Sequence, residues 1–135
     1  MREILFRGKT LKANDCCLDD NERGLWVYGS YTDEIGADCI GWYDELDKTW
    51  NIREVDPDTI NEFTGQYDCE GNRIFEHDVV MMNGKFFIVV FSSKLACFYL
   101  YRKEERNILD YNNKTNIRVI GNIHDKHELW GEVTK

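Results

Sequence analysis

Two carboxylates, Glu76 and Asp78, stand two residues apart just ahead of the apolar run Val79-Val80-Met81-Met82. If the strand begins early they share a face, and a pair so placed could hold a cation or divide acid and base roles in a hydrolysis. A hard divalent cation takes about six or more oxygen ligands, and no further ligand set lies nearby, so the plainer expectation is that the pair closes a turn and solvates an edge. His124-Asp125-Lys126-His127 sets two imidazoles three residues apart, which a helix would bring to one side. A zinc centre needs three or four ligands, and this polar segment reads better as a chain exit. His77 has no companion in sequence.

The five cysteines are Cys16, Cys17, Cys39, Cys69 and Cys97. Their number is odd, two are adjacent and no C-x-x-C occurs, which suits neither a disulfide framework nor a zinc site and points to a reducing cytosol. No cysteine has a local base to activate it, and the chain has neither G-x-S-x-G nor a glycine-rich phosphate cradle. The expectation is a protein that is not an enzyme and uses no metal or cofactor. The residues left for a functional surface are aromatic: Trp26, Tyr28, Phe63, Tyr67 and Phe75. Such side chains anchor interfaces and also build cores, and the core reading is preferred for the set. Trp26, Tyr28 and Tyr67, with the acidic pair Glu76 and Asp78, are the candidate interaction surface.

A chain of 135 residues with 42% hydrophobic and 13% aromatic content can close a core without staples. Twenty-five acidic residues against seventeen basic ones leave a net charge of −8, which repels phosphate backbones and anionic lipid. The best basic stretch, Arg102-Lys103 and Arg106, is interrupted by Glu104-Glu105 and reads as a solvated face. The start is too short and charged for a signal peptide, and no apolar run approaches the roughly 20 residues that span a bilayer.

The elements that must position these residues are mostly strands. Arg2 to Arg7 is strand-like, and Lys9 to Gly24 reads as a loop crowded with turn formers. Leu25 to Tyr31 and Cys39 to Tyr43 follow as strands, and Trp50-Asn51-Ile52-Arg53 alternates at period two, the mark of a strand with one face buried. Asp56-Pro57-Asp58-Thr59 signals one or two helical turns, because Asp56 can cap and Pro57 suits the first position. Asn83-Gly84 between two apolar runs predicts a type I′ hairpin, with Ala96 to Tyr101 as the next strand. Lys103 to Leu109 is assigned a short helix, and the Asn-rich loop from Tyr111 to Asn116 leads into a strand over Ile117 to Ile120. The pattern suggests a small antiparallel sheet followed by a strongly bent sheet or SH3-like barrel.

The longest ordered motif is Thr64-Gly65, then Asp68-Cys69-Glu70-Gly71, then Ile74-Phe75-Glu76-His77-Asp78-Val79-Val80. Together with Ile4-Leu5-Phe6-Arg7-Gly8-Lys9, Trp26-Val27-Tyr28-Gly29, Asp56-Pro57-Asp58-Thr59-Ile60 and Val119-Ile120-Gly121-Asn122-Ile123-His124-Asp125, it resembles the YopX family of phage and prophage proteins over most of the chain. His77 stands where that family commonly has Gly, Asn61 replaces a usual Gly, and Lys126-His127 replaces a usual Asn-Pro. The resemblance implies a mainly β fold with an N-terminal sheet region, 1–61, and a C-terminal SH3-like barrel, 62–135. It also implies phage or prophage origin, and it implies no established activity.

The function expected on these grounds is a non-enzymatic accessory protein that binds a host or phage protein in the bacterial cytoplasm, with homo-oligomerisation open. Two alternatives stand beside it: nucleic-acid association or DNA mimicry, and a metal-dependent hydrolase built on Glu76 and Asp78. In this reading the signature is mainly construction, its glycines permitting turns and its aromatics pinning them to the core.

Overall fold

Short β-branched and aromatic runs separated by turn formers give antiparallel hairpins, and the computed structural model is built almost wholly from them. It describes residues 3–11, 24–103, 105–109 and 116–134. Cys16, Cys17, most of the Lys9 to Gly24 loop and most of the Asn-rich loop lie outside those residues. The chain divides into two units, Glu3–Glu62 and Phe63–Lys135.

In the first unit β1 (Phe6–Lys9), β2 (Trp26–Thr32), β3 (Cys39–Asp44) and β4 (Thr49–Glu54) form an antiparallel sheet in the order β4-β3-β2-β1, with the start of β5 (Asn61–Tyr67) beside β1. The first strand starts later than the sequence suggests. The β3–β4 hairpin turns on Asp44, whose carboxylate accepts the Leu46 and Asp47 N–H groups at 2.9 and 3.1 Å, and on Lys48 at φ 56°. At Gly29 the strands approach so closely that a Cβ would lie 2.1 Å from the Gly41 carbonyl oxygen, so only glycine fits. The short 3₁₀ turn Pro57–Thr59 is capped by Asp56, which accepts the Asp58 N–H at 3.0 Å, as expected from Asp-Pro. Thr59 ties this turn to β1 by accepting the Lys9 N–H at 2.8 Å.

Among the described residues of this unit the buried apolar side chains are few: Cys39, Ile40 and Val55. Polar groups take part of the interior instead. Arg7, 5% exposed, donates from Nε and Nη2 to Asn61 Oδ1, both at 3.3 Å. The described part of the unit therefore stands on ladders and buried polar anchors as well as on these apolar side chains.

The second unit holds the core. After β5, which pairs with β6 (Arg73–Phe75), come β7 (Asp78–Met82), β8 (Lys85–Ser92), β9 (Cys97–Arg102), β10 (Glu105–Ile108) and β11 (Ile117–Asn122), in the sheet order β10-β9-β8-β7-β11. One cluster comprises Ile74, Val80, Met82, Phe87, Val89, Phe98, Leu100, Leu109 and Ile117. The opposite side of the sheet buries Val79 and Ile88 against Leu129 and Val133. Both faces of β7 and β8 are covered, which explains their near-continuous apolar sequence. Asn83 and Gly84 take φ 54° and 78°, and Met82 pairs with Lys85 across them, the type I′ hairpin that Asn-Gly predicts.

Two expectations are corrected here, and one element is added. Residues 105–108 are a strand paired with β9 rather than a helix: so short a segment nucleates poorly, and the free edge of β9 offers hydrogen bonds at once. Beyond the polar stretch His124 to His127, α1 (Glu128–Thr134), an element the sequence reading did not assign, sets Leu129 and Val133 four apart on the sheet. Gly121 admits this helix, since a Cβ there would meet Leu129 Cδ1 at 3.2 Å. Finally, the sheet is open. β10 and β11 are its two edges, and no ladder joins them among the described residues, so the strands do not close into the expected barrel.

Candidate functional site

The signature segment folds as a set of side-chain-clamped turns. Thr64 donates its hydroxyl to the Ile74 carbonyl at 2.7 Å and accepts the Gln66 N–H at 3.1 Å, while Gly65 passes through φ 88°. The Asp68 carboxylate, 5% exposed, then accepts four N–H donors: Glu70 at 2.9 Å, Asn72 backbone at 2.8 Å, Asn72 side chain at 3.3 Å and Val119 at 3.0 Å. Burial pushes the Asp68 carboxyl up, but the hydrogen bonds from Val119 and Asn72 outweigh it and hold the group below the usual range. Cys69 N–H adds a bond to the Ile117 carbonyl at 2.9 Å.

Asp78 is used in the same way. It is 2% exposed, and its Oδ2 accepts the Phe75 N–H at 2.8 Å, closing the turn through Glu76 and His77. The expectation that the acidic pair solvates an edge fails for Asp78, because β7 begins at Asp78 and turns it inward. His77 sits between them at φ 68°, its N–H bonded to the Val89 carbonyl at 2.7 Å and its carbonyl accepting from Ile123 at 3.3 Å. Its ring lies 5.4 Å from that of His124, a neighbour that no sequence spacing indicated. Among the described residues no three His, Cys, Asp or Glu side chains come together as metal ligands.

The aromatic candidates separate by unit. On β2, Trp26 is half-buried beneath cations of its own chain, Arg7 at 4.6 Å and Lys9 at 5.6 Å from the ring centre. Tyr28, two residues on, is exposed. In the second unit Tyr67 is exposed but edge-on to Phe63 at 5.5 Å, while Phe63 and Phe75 are buried. The core reading therefore holds for Phe63 and Phe75 and fails for Tyr28 and Tyr67.

The order of these turns is the chain's most specific property, and a family model for the YopX protein matches residues 8–130. The chain belongs to the YopX family. No curated protein matches it. In this YopX chain the backbone at His77 is left-handed, a conformation glycine adopts without strain.

The surface that sequence reasoning missed in this YopX protein is the β3–β4 hairpin. Trp50 is 78% exposed and Ile52 is 42% exposed, whereas the alternating residues Asn51 and Arg53 are more covered. The period-two pattern is real, but its apolar side faces solvent. Tyr43, directly across from Trp50, packs on it with ring centres 5.3 Å apart, and Leu46 at the turn is 95% exposed. The excess of large apolar residues over what two small faces can bury was the available signal.

The thiols described, Cys39, Cys69 and Cys97, are free. Burial, aided by Glu54 and Asp38, pushes the Cys39 thiol up. Tyr31 donates its hydroxyl to Asp38, which lifts the phenol to about 12. Among the described residues no helix is long and apolar enough to cross a membrane.

Proposed function

We propose that this YopX protein is a non-enzymatic phage or prophage accessory module that docks on a host or phage protein in the bacterial cytoplasm. The observation that carries the reading is the solvent-facing row Tyr43, Trp50 and Ile52 on one hairpin of a unit whose described residues bury few apolar side chains. An exposed aromatic pair beside a branched aliphatic is the composition of an interface centre, not of ordinary surface. Of the two carboxylates considered for hydrolysis, Asp78 is engaged in holding a turn, which supports a role without chemistry. In this reading the second unit is a scaffold, a bent SH3-like sheet in open form, with its antiparallel order in support.

A photoreactive residue placed at Tyr43 tests the proposal. In lysate of infected cells it is expected to cross-link one protein reproducibly, and Trp50→Ala should abolish the adduct. Adducts that are absent, or that persist undiminished in Trp50→Ala, contradict docking at this hairpin.

A further inference from the structure

The partner's chemistry follows from where the charge lies. Residues 1–62 carry fifteen acidic and seven basic side chains, a net of −8, while residues 63–135 carry ten of each. The whole net charge of the molecule therefore belongs to the stretch that makes the exposed hairpin. Locally, Asp44, Glu45 and Asp47 frame the turn beside the Tyr43–Trp50 pair, and Glu54 continues the exposed row of Trp50 and Ile52 on β4. The two cations of the hairpin are Lys48 and Arg53, and Arg53 donates to the Ile52 carbonyl at 2.9 Å.

Resting on the docking reading above, we infer that the β3–β4 face receives a cationic protein segment rich in Arg and Lys. The aromatic faces of Trp50 and Tyr43 accept guanidinium or ammonium groups by cation–π contact, and the apolar stems of those side chains cover Ile52 and Leu46. The surrounding carboxylates attract the segment over distance and pair with it on arrival. A second copy of this chain fits poorly, because two such units would bring like charge together. Trp26 provides an internal precedent: its ring already carries Arg7 and Lys9.

Panning a random peptide library against the full chain, in parallel with Trp50→Ala, tests the inference. Selected peptides should be enriched in Arg and Lys, should bind more weakly as salt is raised, and should lose roughly tenfold or more in affinity with Trp50→Ala. Acidic or uncharged peptides that depend on Trp50 overturn the cationic partner and leave the docking reading intact. Peptides that bind Trp50→Ala equally well, or no selection at all, overturn both. A Trp50-dependent dimer in sedimentation overturns the cationic partner in favour of self-association.

Discussion

The carboxylate of Asp68 accepts the backbone N–H of Val119 at 3.0 Å, joining the signature turn to the middle of β11 across fifty-one residues. The same carboxylate holds Glu70 and Asn72, so one buried anion organises a turn and fixes it to a distant strand. Asp68→Ala leaves several inward N–H donors without an acceptor and should cost roughly 2–4 kcal/mol in urea unfolding. Its pH dependence has a definite sign. The folded group titrates below its ordinary value, so its stabilisation is complete above the unfolded value of 3.8 and is lost as pH falls through the folded one. Asp68→Asn should flatten the acid limb of the stability curve, and an unchanged limb would contradict the assignment.

His77 at φ 68° is a non-glycine residue in the left-handed region. His77→Gly should leave stability unchanged or raise it by up to about 1 kcal/mol, since glycine reaches this conformation freely. His77→Val should cost about 1–2 kcal/mol, because a β-branched side chain resists positive φ. Thermal unfolding of the two variants side by side reads the difference, and equal midpoints would rule out backbone strain as the cause.

Two glycines should respond in opposite directions to the same substitution. Gly29→Ala sets a methyl against the Gly41 carbonyl, a backbone atom that has no means of turning aside, and should cost more than about 2 kcal/mol. Gly131→Ala, in α1 with open space around it, should add roughly 0.5–1 kcal/mol through helix propensity. Urea midpoints check both.

Trp50→Ala should change stability by less than about 0.5 kcal/mol, because its side chain is 78% exposed. Phe87→Ala, from the centre of the core, should cost about 3–5 kcal/mol. A large loss from Trp50→Ala in the isolated protein would make that residue a structural member rather than a docking anchor.

Sequence reasoning reached the parts of this fold that are written locally. Asn83-Gly84 dictates its turn by backbone freedom, Asp56-Pro57 starts its 3₁₀ turn by a cap, and the Thr64 to Val80 order places turns before a buried strand. What depended on distant partners was not legible. Residues 105–108 become a strand because β9 lies beside them, and Leu129 becomes buried because Gly121 makes room. The candidate site divides the same way. Asp78 looked like a solvating acid until the direction of its strand was known, and Trp50 and Ile52 alternate correctly while the face they occupy depends on what covers the other side.

The uneven interior of the molecule bears on when each part is quiet. Amides of β7 and β8, covered on both faces, should exchange with solvent only on global opening, whereas those of β3 and β4 have far less apolar cover to break before they open. A segment bound over Trp50 and Ile52 would slow exchange there most and raise the apparent stability of the first unit by mass action. The partner would then act as a further layer laid over the exposed face of β4.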